Sequence, residues 1–187
     1  MHLGPTMSDP RDFTCAETLK NGLAVTIRHL RAEDRERIAK AVRELDRESV
    51  YTRLFSYRNE LTEAGLDRIM CFDPEQEVAL VVTTRVGNDE VVIGSGRYVV
   101  SRTDGEARTA EVAFVVEEDY QGLGIASRLL RHFVRIAREQ GIAVFEADVL
   151  AGNKSMLVVF ERADLPMTTG RDGGTIHVVL ELRDVSA

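Results

Sequence analysis

The strongest constraint on the fold is a glycine-containing loop that separates two segments with different apolar periods. Residues 108–116 are rich in β-branched and apolar side chains, which predicts a strand. Residues 124–140 predict a long amphipathic helix. Its inner stripe consists of Leu129, Leu130, Phe133, Val134 and Ala137. The loop between the two segments, Gln121-Gly122-Leu123-Gly124-Ile125-Ala126, leads into a helix N-terminus, and this order favours a mixed α/β fold.

The start of a helix after a glycine loop is an anion-binding arrangement. The first N–H groups of a helix have no partner within the helix, and the helix dipole favours negative charge there. Gly122 and Gly124 allow a phosphate to approach the backbone, while Ser127 adds a hydroxyl group in the first turn. The loop therefore predicts a site for a phosphate-bearing cofactor. A plain glycine turn that opens a helix is the alternative, because short glycine motifs also occur by chance.

Two other phosphate-binding loops fit the sequence poorly. A Walker loop requires Gly-Lys-Ser/Thr, and no such triplet follows here. A dinucleotide-binding fold places its first glycine directly at the end of a strand, whereas Gly122 lies well beyond Val116. The third glycine of that fingerprint is replaced by Ser127, although Asp148 lies at a suitable distance for a ribose contact. We therefore reject both alternatives.

The remaining patterns predict one domain over residues 21–187, preceded by a flexible N-terminal arm over residues 1–20. The charged run at residues 31–37 is expected to be a solvated helix face. Apolar periods and turn residues predict strands over 23–30, 78–86, 91–101, 143–150 and 175–182 and helices over 31–47, 62–71 and 153–162. A glycine-rich turn over 170–174 precedes the last of these strands, and the chain ends in one or two strands.

Composition excludes several classes of protein. The net charge of −7 argues against a general nucleic-acid binder, which needs a basic surface. There is no run of about 18 apolar residues and no basic start followed by an apolar stretch, so we expect neither a membrane span nor a signal peptide. The two cysteines and four histidines show no metal-ligand spacing, and His132 is expected on a helix surface. These features favour a cytoplasmic protein with no metal.

The loop resembles the signature of a known superfamily. The pattern Gln121-x-x-Gly124-x-Ala126 is similar to the (Gln/Arg)-x-x-Gly-x-(Gly/Ala) motif of the general N-acetyltransferase (GNAT) superfamily. The resemblance covers residues 23–182, because the order of elements is the same. Residues 111–116 resemble the superfamily's fourth strand, and Asn153 resembles its pantetheine-contacting asparagine. The resemblance implies a central, mostly antiparallel sheet with splayed fourth and fifth strands and helices on both faces.

The resemblance further implies that the chain binds acetyl-CoA and moves its acetyl group to a primary amine by direct attack. The cofactor would enter the gap between the splayed strands, and its pantetheine arm would run along the backbone of Phe114, Val115 and Val116. Asn153 would bond to the pantetheine chain. The pyrophosphate would be held by the N–H groups of Gln121, Gly122, Leu123, Gly124, Ile125, Ala126 and Ser127.

Acetyl transfer to an amine requires a base for the amine and stabilisation of the thioester oxyanion. Glu111 is the first candidate for the base: it lies on the strand that leads to the cofactor, and it matches the catalytic glutamate of the lysine-acetylating subfamily. Its apolar neighbours predict a buried side chain, and the structural alternative is a solvated strand residue or an ion pair with Arg97. Asp148 is the second candidate, since it lies five residues before Asn153, where another branch carries a glutamate base. The general acid stays open, because Phe160 stands where many relatives carry a tyrosine.

Residues 49–55 and 108–111 resemble the catalytic domain of bacterial protein-lysine acetyltransferases that act on acyl-CoA synthetases. That resemblance implies a lysine of a protein, for example an acyl-CoA synthetase, as the acceptor. A small amine (a polyamine, an amino acid or an aminoglycoside) is the alternative acceptor. A non-catalytic acyl-CoA-binding sensor is the alternative from another class of protein. Acyl chain length and regulation stay open, as does a homodimer, which many relatives form.

Overall fold

The computed structural model of the protein describes residues 10–44, 73, 76–102 and 107–183, with the backbone alone at 40–44 and 102. The helix predicted over 62–71 lies outside these residues. The strands are β1 (Thr14–Thr18), β2 (Ala24–His29), β3 (Glu77–Val86), β4 (Asp89–Arg102), β5 (Arg108–Val116), β6 (Ile142–Leu150), β7 (Met167–Asp172) and β8 (Thr175–Glu181). The helices are α1 (Asp34–Glu44), α2 (Ile125–Glu139) and α3 (Lys154–Glu161), and single turns of 3₁₀ helix cover Pro10–Asp12 and Glu118–Tyr120.

All eight strands join one sheet in the order β1-β2-β3-β4-β5-β6-β8-β7. Every neighbouring pair is antiparallel except β5 and β6, which are parallel. The predicted mixed α/β fold with a central, mostly antiparallel sheet is therefore confirmed. None of the helices in the described part of the chain is both long and apolar enough to cross a membrane.

The alternation of side chains along β3 shows that helices cover both faces of the sheet. Val78, Leu80 and Val82 belong to the main core, which also contains the inner stripe of α2. Ala79 and Val81 point the other way and pack with Ile38 of α1 in a second, smaller cluster. We call the first side the core face and the second the α1 face. This division decides which side chains can meet at the functional site.

The N-terminal arm predicted over residues 1–20 was wrong for residues 14–18. These residues form β1, which pairs with β2 through the turn at Asn21 and Gly22, where Gly22 has a φ of 85°. No side chain within β1 is fully buried, so its sequence lacks the apolar alternation that reveals a strand. The buried residues Phe13 and Leu19 flank it and fix it to the core. Residues 1–9 lie outside the described residues.

The glycine-rich segment near the C-terminus was also partly mispredicted. Gly170 lies inside β7, and the turn that joins β7 to β8 consists of Gly173 and Gly174 alone. Most side chains of β7 are exposed, because it is the outer strand of the sheet. An exposed edge strand again gives no apolar period for a sequence argument to use.

Two glycines of β4 let α2 pack directly on the core face. A Cβ on Gly96 would lie 2.8 Å from Phe133 Cε2 and 3.0 Å from Phe114 Cδ1, and one on Gly94 would lie 2.9 Å from Ile125 Cγ2. Any larger residue would therefore move the helix or its neighbours. Because Ile125 is the first residue of α2, these glycines also determine where the helix begins relative to the sheet.

A buried ion pair connects β2 to the start of α1. Arg28 donates to both carboxylate oxygens of Asp34, at 2.7 and 2.8 Å, and these side chains are 4% and 0% exposed. Arg37 and the N–H of Arg31 also donate to Asp34. Burial by itself would raise the pKa of Asp34, but these hydrogen bonds, chiefly those from Arg28, outweigh it and lower the pKa. The expectation that residues 31–37 form a purely solvated face was thus wrong at Asp34.

We predict that Asp34→Ala lowers the free energy of unfolding by about 3–5 kcal/mol, because it leaves the buried charge of Arg28 without its main partner. Glu33→Ala is the matched control: within the described residues, the one ion pair of Glu33 is an exposed 3.8 Å contact with Arg31, and its loss should cost below about 1 kcal/mol. Urea denaturation of both variants measures the difference. Because the pKa of Asp34 is lower in the folded than in the unfolded protein, its charge stabilises the fold at pH values above the unfolded-state pKa. The difference in unfolding free energy between the parent and Asp34→Ala should therefore shrink as the pH falls through the folded-state pKa. Equal losses in the two variants would contradict the anchoring role.

Candidate active site

The sheet opens between its two parallel strands. β5 and β6 pair only as far as Glu111 and Glu146. Beyond that point β5 continues to Val116 with β4 as its neighbour, and β6 continues to Leu150 with β8 as its neighbour. The inner edges of residues 112–116 and 147–150 therefore face a gap, with the pair Glu111 and Glu146 at its narrow end. This gap is the splay between the fourth and fifth strands that the family resemblance implies.

The glycine loop lies at the wide end of the gap, where β5 ends. Gly122 and Gly124 have φ values of 73° and 86°, in the left-handed region that favours glycine. The Gln121 side chain donates to the carbonyl of Val116 at 3.2 Å and so fixes the start of the loop to the end of β5. Gly124 is the N-cap of α2 and has no side chain to cap it. The first N–H groups of α2 are therefore directed out of the helix, as an anion site requires.

The signature residues divide into two groups. Ile125 is buried and Leu123 packs against the core, so these two side chains anchor the loop to the core. Gln121, Gly122 and Ser127 are exposed. A ligand at the loop therefore meets backbone groups and small or polar side chains, which suits the pyrophosphate of acetyl-CoA.

The predicted catalytic residues lie on the α1 face. In the parallel pairing, Glu111 is the partner of Glu146, so the two side chains point to the same face. Asp148 lies two residues beyond Glu146 and points the same way. Three carboxylates thus border the narrow end of the gap. The sequence analysis missed Glu146, although its spacing of two residues from Asp148 on a predicted strand was a usable signal.

Glu111 is exposed, which corrects the expectation of a buried side chain and agrees with the alternative of a solvated strand residue. Its sequence neighbours Ala110 and Val112 are apolar and buried, but they point to the core face and do not cover it. The alternative ion pair with Arg97 was wrong too. Glu111 lies opposite Val99, whereas Arg97 has its Nε 3.3 Å from Glu77.

Asp148 has a partner that the sequence did not reveal. Its Oδ1 lies 2.8 Å from Nδ1 of His177, and about half of each side chain is exposed. His177 lies directly opposite on β8, so only the register of β6 and β8 brings the two together. Asp148 is therefore already engaged in a polar contact, whereas Glu111 lies at the end of the paired strands.

Asn153 begins α3, just after β6. Its Oδ1 accepts a hydrogen bond from the N–H of Met156 at 3.2 Å, which caps the helix. This contact orients the side-chain amide, and its NH₂ group carries the donors suited to an amide carbonyl of pantetheine.

The position at which many relatives carry a tyrosine as general acid holds no tyrosine here. Phe160 occupies that position, is buried and packs near Phe114, with ring centroids 6.2 Å apart. Tyr98 lies on the core face, where its hydroxyl donates to Gln140 Oε1 at 2.8 Å, and burial raises its pKa. Tyr98 is therefore oriented away from the three carboxylates and held as a neutral phenol.

Comparisons with known proteins agree with this geometry. Residues 39–164 match the Acetyltransferase (GNAT) family. The chain is 34% identical over 143 residues to Acetyltransferase PA5475 of Pseudomonas aeruginosa, a match that covers 75% of this chain and 74% of that protein. It is 35% identical over 129 residues to Acetyltransferase Pat of Mycolicibacterium smegmatis, a match that covers 69% of this chain but only 37% of that longer protein.

The fold is similar to that of the GNAT domain of S. lividans PAT. The TM-score is 0.76 at 29% sequence identity, over 90% of this chain and 96% of that one. One conclusion follows from the family match, the 34% identity to an acetyltransferase, the splayed strands and the glycine loop. The chain belongs to the GNAT family and is an acetyl-CoA-dependent N-acetyltransferase.

Proposed function

We propose that this acetyltransferase acetylates the side-chain amine of a protein lysine by direct attack in a ternary complex. The observation that carries the proposal is the row of carboxylates, Glu111, Glu146 and Asp148, on the α1 face beside the narrow end of the gap. A lysine approaches as a cation, and negative charge on that face favours its approach. The resemblance of residues 49–55 and 108–111 to protein-lysine acetyltransferases supports the same acceptor.

Acetyl-CoA fits the gap in one direction. Its pyrophosphate binds at the loop Gln121–Ser127, and its pantetheine arm runs along the open edge of Phe114, Val115 and Val116 as an added strand. At about 3.3 Å per residue, the strand from Val116 to Glu111 spans about 16 Å, a length suited to an extended pantetheine arm. The NH₂ group of Asn153 bonds to the arm. The thioester then lies near Glu111.

In the reaction, Glu111 accepts a proton from the lysine ammonium group, and the neutral amine attacks the thioester carbonyl. The attacking nitrogen then gives its second proton to water, and the tetrahedral intermediate collapses with breakage of the C–S bond. The proton balance closes when the coenzyme A thiolate takes up one proton, which leaves one proton released for each acetyl group transferred. Phe160 has none to give, so we propose that water protonates the thiolate. The exposure of Glu111 allows it to return its own proton to solvent after each turnover.

A small amine remains the alternative acceptor, because an exposed row of carboxylates also suits a polyamine. An acyl-CoA sensor without turnover is favoured only by Phe160 in place of the tyrosine. The cytoplasmic location and the homodimer stay predictions.

We expect Gly122→Asp to abolish binding of acetyl-CoA, because a carboxylate at the loop repels the pyrophosphate. In the parent, acetyl-CoA at about a hundred times its dissociation constant should stabilise the fold by about 2.7 kcal/mol and raise the thermal midpoint. Gly87→Asp is the matched control: Gly87 also has positive φ and open space around it, but it lies in the β3–β4 turn. The control should keep the shift. If Gly122→Asp keeps it as well, the loop is an ordinary turn.

We expect Glu111→Gln to lower turnover about 100- to 10,000-fold, the usual worth of a positioned base. The affinity for acetyl-CoA should hardly change, because backbone groups elsewhere hold the cofactor. Asp148→Asn should cost much less, since Asp148 is bound to His177. Steady-state rates of thiol release and calorimetric binding of acetyl-CoA measure the two effects. The reverse ranking would assign the base to Asp148.

The acceptor is tested by thiol release with a protein substrate, such as an acyl-CoA synthetase, against spermidine, free lysine and an aminoglycoside. We expect release with the protein and a mass increase of one acetyl group on a lysine. Release with a small amine alone would overturn the proposed acceptor and leave the acetyltransferase assignment intact. Tight binding of acetyl-CoA with no release for any amine would favour the sensor.

A further inference from the structure

We propose that Glu17, on the edge strand β1, is a positioning residue for the cofactor loop and acts through Arg128. The proposal rests on the proposed binding of acetyl-CoA pyrophosphate at the loop Gln121–Ser127. It gives a role to a segment of the chain that lies far from the loop in sequence.

Glu17 binds three side chains along one side of α2. Its carboxylate oxygens lie 2.7 Å from Nη2 of Arg131 and 2.6 Å from Nε2 of His132, and both contacts are hydrogen bonds. They also lie 2.8 Å from Nε of Arg128, an ion pair without hydrogen-bond geometry. The Glu17 side chain is only 14% exposed. His132 is therefore buried against β1, which corrects its expected place on the helix surface. The carboxylate thus fastens β1 to the first two turns of α2.

Arg128 extends this contact into the loop. Its Nη2 donates to the carbonyl of Thr18 at 2.7 Å. Its Nη1 donates to the carbonyls of Gly124 at 3.2 Å and Leu123 at 3.4 Å. A Cβ on Gly124 would lie 2.6 Å from this Nη1, so the glycine is what allows the guanidinium group to reach the loop. One planar side chain therefore spans β1 and the loop.

These contacts determine which way the loop's N–H groups point. In a trans peptide the C=O and the next N–H point in opposite directions. The carbonyl of Gly124 already accepts the first hydrogen bond of α2, from the N–H of Arg128 at 3.2 Å. The Arg128 side chain adds a second donor to it and holds the Leu123 carbonyl on the same side, so the N–H groups of Gly124 and Ile125 point to the other side. That is the side from which the pyrophosphate binds in our proposal, so Arg128 orients the donors without touching the ligand.

Glu17 in turn determines the position of Arg128. A guanidinium group with a fixed carboxylate partner loses less freedom when it also binds carbonyl groups. Burial alone would raise the pKa of Glu17, but the hydrogen bonds from His132 and Arg131 outweigh it and lower the pKa. The carboxylate therefore stays charged at neutral pH and keeps its partner in place.

A metal site is the competing explanation of this cluster, because Cys15, Glu17 and His132 offer ligand atoms within 4.8 Å of one another. Two guanidinium groups already lie within 2.8 Å of the Glu17 carboxylate. A metal cation there would be repelled by both. The geometry therefore favours an anchor for Arg128 over a metal centre.

The test is a double-mutant cycle on the affinity for acetyl-CoA. Arg128→Gln should raise the dissociation constant about tenfold, the value of one charge-assisted hydrogen bond. Glu17→Gln should raise it by a smaller factor, because Glu17 holds Arg128 through an ion pair and not through a hydrogen bond. Because Glu17 acts through Arg128, the double variant should bind no more weakly than Arg128→Gln alone. The turnover number at saturating acetyl-CoA should change less than about twofold. The variants weaken binding of the cofactor equally in the ground state and the transition state, and they leave the reacting atoms unchanged. Additive losses in the cycle would overturn the proposal.

Two further variants separate positioning from folding. Arg171→Gln removes an exposed contact with the carbonyl of Gly173 in the β7–β8 turn, at the opposite edge of the sheet from β1, so its affinity for acetyl-CoA should equal that of the parent. Arg128→Lys keeps the charge and loses the planar fork, so it should show the raised dissociation constant even if Glu17→Gln does not fold. An affinity unchanged in Arg128→Lys would contradict the proposal. Absence of binding in the parent would instead contradict the proposed cofactor site.

Discussion

The rest of the site depends on the point at which β5 and β6 stop pairing. Up to Glu111 and Glu146 the sheet is continuous, and beyond them each strand keeps only its outer neighbour. Backbone groups on the inner edges lose their ladder partners there, and unpaired edges of this kind accept an extended ligand as an added strand. The same event places a carboxylate at the narrow end of the gap and the glycine loop at its wide end. A cofactor with a phosphate at one end and a reactive thioester at the other matches both.

The position of the loop is determined from two sides. On the sheet side, Gly94 and Gly96 let α2 lie close to β4, and Gln121 fastens the loop to the end of β5. On the other side, Arg128 holds the loop's carbonyls and is itself held by Glu17 and Thr18 of β1. A loop with two glycines in the left-handed region has many accessible conformations. Contacts from both sides select one of them before the ligand arrives, which reduces the entropy cost of binding.

Strand alternation separates the structural residues from the chemical ones. On β5, Ala110, Val112 and Phe114 point to the core face and pack with α2, while Glu111 points to the α1 face. Charged side chains can therefore stand beside a tightly packed core without entering it. Phe160 and Tyr98 belong to that core. Phe160 has no proton to give, and the hydroxyl of Tyr98 is held on the core face by Gln140.

The sequence alone determined the fold class, the loop, the helix after it and the order of most elements, because each rests on local apolar periods and turn residues. It also predicted Glu111 and Asp148 as candidate bases, and both lie on strands with clear patterns. The sequence did not predict the edge strands β1 and β7, since exposed strands carry no apolar period. Nor did it predict two contacts between residues far apart in the chain, that of Glu17 with Arg128 and that of Asp148 with His177. The exposure of Glu111 was likewise not predicted, because it depends on which face of β5 is turned to solvent. Only the tertiary structure decided these features, since strand register and helix packing bring distant residues together and no local pattern records them.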